Sequence, residues 1–445
     1  MIVRHARPRC WLAVVAALNT VTVAQAEPAA SPTPAAGGTV AIVHAKAYTI
    51  ANPAPVDDAT IVMRGGEIAA IGANLEPPPG ARVVDAGGRI VTPGLMNAAT
   101  QIGLGEVASD ADTMDQSVDA GPLGAAFDVK YAVDPNSLTV QKARADGLSR
   151  ALVFPGGSAK PPFAGVAALL HLVPGPSVLE RGDVAVFATV GGPSATHAGG
   201  SRAAQWILLR NALDEVRLAM TKGAALAPDE RELNRLDLEA LRPVVEGTVP
   251  LAIRAERESD IRNAVQLGLD YKLRVVIVGG AEAWRVAPEL AREHVPVVLD
   301  PLAALPMTYD EIGARRDNAA RLAKAGVTIA FTVTGQGIYL SYDAGSALRE
   351  GAGVAVANGL PYADALRALT LNAAQIWAVG KKYGTLEPGR DADLVIWDGD
   401  PLEPSSAPVQ VFIGGREISL RTRQTELRDR YRPSVVPPAS TSHAQ

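Results

Sequence analysis

Histidines are the side chains best suited to holding a catalytic metal ion, and their spacing in this 445-residue sequence does not favour such a site. After residue 26 the histidines are His44, His171, His197, His294 and His443. No two form a His-x-His pair, and no two lie four residues apart on a helix, the spacings that bring imidazoles to one ion. Only His197, in the glycine-rich loop 191–200, is placed to face a cleft. The pattern favours structural roles for these histidines.

Acidic side chains offer a different chemistry. Glu256, Glu282 and Asp300 follow apolar, strand-like segments, where a carboxylate could act as a general base. No Walker phosphate-binding loop and no Gly-x-Ser-x-Gly motif occurs. The glycine-rich turns at 155–157 and 191–193 are more typical of loop shaping than of phosphate binding. The sequence therefore offers carboxylates, without a recognisable nucleophile or phosphate loop.

The first 26 residues have the pattern of a secretory signal peptide. Three arginines within the first nine residues precede a mostly apolar run over residues 10–23, and Ala24-Gln25-Ala26 resembles a cleavage site. The apolar run is too short to span a bilayer. Residues 27–37, rich in Pro and Ala, are expected to be a flexible linker. We therefore expect an exported protein, periplasmic or secreted, with no membrane segment after cleavage.

The composition is that of an acidic globular protein. The chain is 48% hydrophobic and 20% charged, its formal charge is −5, and only 4% of its residues are aromatic. Without a basic stripe and interleaved aromatics, nucleic acid is not an expected partner. The single cysteine, Cys10, lies in the segment expected to be removed, which excludes disulfides and thiol chemistry from the mature protein.

The rest of the sequence divides into strand-rich ends and an alternating middle. Residues 38–92 contain short strands and turns, with Gly65-Gly66 at a hairpin, and strands return after residue 382. In between, apolar runs suited to buried strands alternate with amphipathic helices. The runs are at 148–154, 184–190, 249–253, 274–278, 295–299 and 327–332, and the helices at 259–272, 281–294, 313–325 and 361–379. This alternation predicts an α/β barrel or a doubly wound sheet.

Residues 58–72 and 84–95 near one end, and 384–398 near the other, carry a family resemblance. They resemble the opening sheet, the lead into the first barrel strand and the return to the sheet of the amidohydrolase superfamily, in its imidazolonepropionase-like branch. The resemblance covers residues 38 to about 420. It implies an α/β fold with a (β/α)8 TIM-like barrel over 93–383 and a small composite β-sandwich from 38–92 and 384–420. Residues 421–445 would form a C-terminal extension with a disordered end.

The resemblance also implies where metal ligands should stand. Family members hydrolyse C–N and related bonds with zinc or another divalent metal at the carboxyl ends of the barrel strands. The family's ligand or neighbouring positions are occupied here by Asn97, Ala99, Gln101, Arg254, Glu256, Gly279, Glu282 and Thr334. Alanine and glycine offer no lone pair, a guanidinium is always charged, and a threonine is no general base near neutral pH. Of the replacements for ligand histidines, only Glu256 could bind a metal well, so we predict no metal cofactor.

Two functional hypotheses arise from these substitutions. In the first, the protein is an exported, metal-free pseudoenzyme that acts as a binding or partner subunit. Arg254 and Glu256 would then pair structurally, or Arg254 would hold an anionic ligand. The partner would be a small molecule or a catalytically intact relative, and the family's frequent dimers leave a dimer open. In the second, the chain is an active hydrolase of non-peptide C–N bonds with a non-standard site, served by Glu256, Glu282 or Asp300.

Overall fold

The computed structural model describes residues 38–106, 111–222, 232–333 and 341–435. The signal peptide and linker expected at 1–37, Thr334, His443 and the tail expected to be disordered after 435 lie outside these residues. The described chain forms two eight-stranded sheets with helices around the second. No helix in the described ranges is long and apolar enough to cross a membrane.

The first sheet is built from both ends of the described chain. Its strands are β1 (Val40–Ala47), β2 (Val56–Arg64), β3 (Glu67–Ala73), β4 (Arg82–Asp85), β5 (Ile90–Pro93), β14 (Leu394–Trp397), β15 (Pro408–Ile413) and β16 (Arg416–Glu417). Their order is β16-β15-β14-β5-β1-β2-β3, with β4 beside β1. The antiparallel pairing of β5 with β14 joins the two flanks. The composite sheet domain implied by the resemblance is therefore confirmed.

A tight turn between β2 and β3 depends on two glycines. Gly65 and Gly66 have φ angles of 62° and 88°, which suit a hairpin turn that matches the twist of the strands. A side chain at Gly66 would also lie 3.3 Å from the carbonyl oxygen of Gly414, at the turn between β15 and β16. Two hairpins of the sheet, one from each end of the chain, thus pack backbone against backbone.

The second sheet is a nearly closed barrel. Its strands follow chain order: β6 (Leu95–Thr100), β7 (Leu148–Val153), β8 (Phe163–His171), β9 (Leu179–Thr189), β10 (Leu251–Ala255), β11 (Val275–Gly279), β12 (Val297–Leu299) and β13 (Ile329–Phe331). Just after β13, the Thr332 hydroxyl donates to the carbonyl of Ala99 on β6. The TIM-like barrel is confirmed, with one difference: β8 runs antiparallel to both neighbours. The connections at 154–162 and 172–178 are too short for a crossover helix, so β7, β8 and β9 form a meander.

Helices pack around the barrel. They are α1 (Leu138–Ala145), α2 (Gly192–Ala195), α3 (Arg202–Lys222), α4 (Arg235–Val245), α5 (Glu258–Tyr271), α6 (Ala287–Arg292), α7 (Asn318–Lys324), α8 (Ser346–Ala357), α9 (Tyr362–Ala368), α10 (Leu371–Ile376) and α11 (Arg423–Val435). Three expected helices are shorter. The helix expected over 313–325 begins five residues late, at Asn318. Pro288 starts α6 six residues late because proline is tolerated only in a first helical turn. The helix expected over 361–379 is interrupted at Thr370, which caps α10.

Aromatic side chains fill the barrel interior. Phe154 stacks on Phe187 with ring centroids 5.0 Å apart, and Phe187 stacks on Trp377 at 6.3 Å. The Trp377 indole also donates to the carbonyl of Ala98 at 2.9 Å, which satisfies its buried N–H. The interior is therefore a packed core, and any site must lie at the mouth, where the parallel strands end.

A buried arginine connects the barrel to the composite sheet. Arg150 on β7 is 1% exposed and is surrounded by three carboxylates and an aromatic ring. Its partners are Glu180 at 2.8 Å, Asp391, Asp393 and the ring of Tyr383 at 4.5 Å. Asp391 and Asp393 belong to the motif at 384–398 that carried the family resemblance, so this motif ties the barrel to the sheet.

Candidate functional site

Strand register brings a charged side chain into an otherwise apolar layer near the mouth. Arg254 on β10 pairs in register with Thr189 on β9 and Val278 on β11. Val278 aligns in turn with Val298, and Val298 with Ala330. These last three residues belong to the hydrophobic cluster inside the barrel. Because side chains alternate along a strand, Arg254 shares the inner face with Ala252, a member of that cluster.

The guanidinium of Arg254 contacts an aromatic ring. Its central carbon lies 5.7 Å from the ring centroid of Phe154, the end of the interior aromatic stack, in the range of a cation–π contact. The residue is half-buried. Among the described residues, none forms a hydrogen bond or an ion pair with it. The guanidinium thus contacts an aromatic face, but none of its five N–H donors has an acceptor in the described part of the chain.

Glu256 follows two residues later and is engaged elsewhere. Its Oε2 accepts the backbone N–H of Ala281 at 2.9 Å, and the two side chains Arg254 and Glu256 form no ion pair. Burial raises the pKa of Glu256 to about 7, against the opposing effects of the Ala281 N–H and the Arg254 charge. The negative charges of Glu311 and Asp310 raise it further. Of the two alternatives for Arg254, a structural pair with Glu256 or an anionic ligand, the pair is not formed among the described residues.

Glu256 fills the space where a ligand side chain would have to stand. Gly279, at the end of β11, has a φ of +94°, and a Cβ atom there would collide with the Glu256 carboxylate. A histidine at this position would strain the backbone and would require the Glu256 carboxylate to move. Glu282, three residues further on, is engaged by the backbone: its Oε2 accepts the N–H of Glu258 at 2.9 Å, at the start of α5.

The polar side chain of Asn97 on the first barrel strand forms hydrogen bonds with backbone groups. Asn97 is fully buried; its amide donates to the carbonyl of Ala344 at 3.0 Å and its oxygen accepts the N–H of Ala99 at 3.1 Å. Ala99 is buried inside the barrel. The Gln101 amide lies against Gly156, the turn after β7. Of the expected pocket residues on this strand, only Gln101 is partly exposed.

An ion-pair network at the rim of the mouth escaped sequence reasoning. Asp310, in the loop after β12, accepts the N–H of Gly192 at 2.7 Å and pairs with Arg202 at the start of α3. Arg202 in turn reaches Asp260 at 3.2 Å, and Asp260 lies 3.6 Å from Arg257. These residues come from loops after β9, β10 and β12. They are distant in sequence, and only the barrel topology brings them together.

The histidines are dispersed over the described chain. His44 pairs with Asp85 at 3.0 Å on the composite sheet, and His171 with Asp393 at 3.1 Å. His197 and His294 are exposed. A cavity of about 410 Å³ opens beside His294, but at the opposite end of the barrel from the mouth.

Comparison with known proteins identifies the family. Residues 194–418, just over half of the chain, match the family model described as "Amidohydrolase family". The chain belongs to this family.

Individual relatives are also similar to this chain. Amidohydrolase tasK of Hapsidospora irregularis is 47% identical over 57 residues, which are 13% of this chain but only 6% of that protein. A crystal structure of an amidohydrolase from Thermotoga maritima MSB8 is similar with a TM-score of 0.76 and 24% identity, covering 86% of this chain and 100% of that one. Molinate hydrolase is similar at a TM-score of 0.52 and 17% identity, over 86% and 95% of the two chains. At these identities the two structures support the fold alone.

The residues at the positions where the sequence resemblance places the family's metal ligands do not fit a divalent metal. Arg254 has no lone pair to donate and carries the same sign of charge as the ion. Ala99 and Gly279 have no ligand atom, and the space beside Gly279 is filled by Glu256. Asn97 is committed to the backbone. In the described ranges, no group of three or more His, Cys, Asp or Glu side chains could hold an ion.

Proposed function

We propose that this amidohydrolase-family chain is an exported, metal-free pseudoenzyme that acts as a binding or partner subunit. The observation that carries the proposal is the guanidinium of Arg254 at a position where the family pattern requires a neutral imidazole. The collision between a side chain at Gly279 and the carboxylate of Glu256 supports it. A tetrahedral or bimetallic site needs several lone pairs aimed at one point, and these substitutions remove them on three strands.

Elemental analysis of the purified mature chain tests the absence of a metal. The protein is expressed in media supplemented with zinc, manganese or iron and measured by plasma mass spectrometry beside a zinc-loaded member of the family. We expect far less than one equivalent of each metal. One equivalent of any of them, removable by a chelator with loss of thermal stability, would overturn the proposal.

Export is tested separately by following the full-length chain in a Gram-negative host. We expect the periplasmic fraction to contain a protein that begins at Glu27, as determined by mass spectrometry of its N-terminal peptide. An Ala26→Leu variant, which removes the small residue before the cleavage site, should accumulate unprocessed. Uncleaved protein confined to the cytosol in both cases would contradict export.

An exposed apolar loop supports the partner role. The loop after β12 presents Leu305, Met307, Tyr309 and Ile312, which are 66–90% exposed. The buried Asp310 anchors this loop through Gly192 and Arg202. At about 150–250 Å² for a large side chain, the four expose roughly 600 Å², at the upper limit for a typical monomer.

The partner that we propose is a catalytically intact relative. Affinity purification from the native periplasm should recover one, and Met307→Ser with Tyr309→Ser should reduce its recovery at least tenfold. Light scattering of the purified chain shows whether the chain instead forms a dimer with a second copy of itself. Self-association that the same double variant abolishes would contradict the proposed partner.

The alternative, an active hydrolase, draws support from one observation. A pKa near 7 is what a general base needs, and burial gives Glu256 that pKa. On this hypothesis the chain would hydrolyse non-peptide C–N bonds in the presence of a chelator. Glu256→Gln would abolish the activity, and Glu282→Gln, whose carboxylate serves α5, would retain most of it. Chelator-resistant turnover with this pattern would favour the alternative over the pseudoenzyme.

A further inference from the structure

We propose that Arg254 binds the carboxylate of a small, singly charged organic ligand at the mouth of the barrel. The proposal rests on the proposed metal-free function, because a metal centre would occupy the same region. It specifies the chemical class of the ligand, which the family does not provide, since the arginine stands where the family places a metal ligand.

The first support is the environment of the guanidinium. Arg254 shares its layer with Val278, Val298 and Ala330 and lies over the face of Phe154. A guanidinium drawn from water into such surroundings loses hydrogen bonds unless an acceptor replaces them. The aromatic face compensates part of this loss. Since the residue is half-buried, part of its surface remains open to a ligand.

The second support is that the nearest acid does not take the role of that acceptor. Glu256 directly follows β10, but its carboxylate accepts the Ala281 N–H and fills the space beside Gly279. Asp310 pairs with Arg202, and Glu311 caps its own loop by accepting the N–H of Met307 at 2.8 Å. Among the described residues, the acids around the mouth are thus committed to other partners.

The surrounding charge determines the class of anion. Asp310 and Glu311 lie close enough to Glu256 for their negative charges to raise its pKa. A dianion such as phosphate would be repelled by these acids more strongly than a monoanion. One guanidinium matches one carboxylate through two parallel N–H···O bonds. The combination favours a monocarboxylate over a phosphorylated ligand.

The test uses benzoate as the monoanion, benzamide as its neutral isostere and inorganic phosphate as the competing anion. Calorimetry and thermal shift are measured on the mature wild type, Arg254→Met and Arg235→Met at pH 7.5. Arg235 is an exposed arginine on α4 and serves as the matched control. We expect benzoate to bind the wild type and Arg235→Met equally, and at least ten times more weakly to Arg254→Met. Benzamide and phosphate should bind the wild type at least ten times more weakly than benzoate.

Folding of the variant provides a second measurement. Arg254→Met removes a desolvated charge and keeps an unbranched side chain, so it should melt at or above the wild-type temperature. A large fall in melting temperature would mean that Arg254 has a structural partner, and would overturn the proposal. So would equal benzoate affinity in the wild type and Arg254→Met, no binding of benzoate by the wild type, or a preference for phosphate.

Metal analysis of the same preparation separates the two proposals. A stoichiometric metal would contradict the pseudoenzyme whatever benzoate does. A metal-free protein that ignores benzoate would contradict the carboxylate site alone.

Discussion

A side chain at position 279 and the carboxylate of Glu256 would occupy the same volume, so a histidine introduced at 279 alone would not build a metal site. The carboxylate stands where a side chain at 279 would have to begin, and the backbone there adopts a left-handed conformation. A histidine placed at 279 would therefore meet both strain and collision. A side chain at 279 and the acid at 256 thus exclude each other in their present positions.

This mutual exclusion can be measured as a stability difference. Gly279→Ala should lower the free energy of unfolding by about 3 kcal/mol or more, from backbone strain plus collision. Gly326→Ala is the matched control: its φ is +88° and nothing lies within 4 Å of the added carbon, so it should cost about 1–2 kcal/mol. Urea unfolding of both variants gives the comparison. Adding Glu256→Ala should recover the excess cost of Gly279→Ala, and equal costs for the two glycine variants would contradict the packing described.

The raised pKa of Glu256 makes a prediction about pH. The folded-state pKa, about 7, exceeds the usual 4.5, so the contribution of this group is fully present below pH 4.5. That contribution is lost as pH rises through 7 because the buried carboxyl must ionise. Glu256→Gln should remove this decline and be more stable than the wild type at pH 8 by up to about 3 kcal/mol. The check is denaturant unfolding at pH 5, 6, 7 and 8; parallel curves for the two proteins would disprove the assignment.

At the scale of elements, the junction between barrel and composite sheet depends on one buried ion network. Arg150 on β7 meets Asp391 and Asp393 just before β14, and Asp393 also accepts the Gly414 N–H at 2.7 Å. The charge of Arg150 and these hydrogen bonds lower the pKa of Asp393 although burial opposes them. Its contribution to stability is therefore present above pH 4 and is lost as the pH falls below that value.

Removing the arginine should be costly because it leaves the buried carboxylate of Asp393 without its guanidinium counter-charge. Arg150→Met should lower the free energy of unfolding by about 3–5 kcal/mol. Arg235→Met removes an exposed pair with Glu239 and should change it by less than about 0.5 kcal/mol. Thermal unfolding at pH 7 provides the measurement. A cost for Arg150→Met as small as that of the control would show that the network does not hold the domains together.

Several elements were predictable from sequence, and the reasons are physical. β11 and β12 are continuous apolar runs because both of their faces are buried, and β10 follows the same pattern up to Arg254. Helix α3 was missed, since its apolar residues are scattered around the helix and several, including Ile207, are exposed. At the site, the identities of the replaced residues came from motif order. Glu256 does not pair with Arg254 because its carboxylate accepts the Ala281 N–H, a backbone contact that sequence patterns do not reveal.

At the scale of the whole molecule, the composite sheet makes the fold depend on both ends of the described chain. Truncation after residue 407 removes β15 and β16 and exposes β14, so the chain should lose its cooperative unfolding transition. Truncation after residue 422 removes α11 and the tail beyond it, and should shift the melting temperature by no more than about 2 °C, because most of that helix is exposed. Circular dichroism melts compare the two. A cooperative transition in the shorter protein would show that the sheet tolerates an open edge.

The same arrangement has a consequence for biosynthesis. Strand β5, which is synthesised early, pairs with β14 only when the ribosome has almost finished the chain. Arg150 likewise cannot pair with Asp391 and Asp393 until these residues have been synthesised. A nascent chain therefore cannot complete the composite sheet until β14, β15 and β16 have been synthesised. For a chain exported as we propose, that delay would keep it unfolded during passage through a narrow translocation channel. The composite sheet would then be completed on the far side of the membrane.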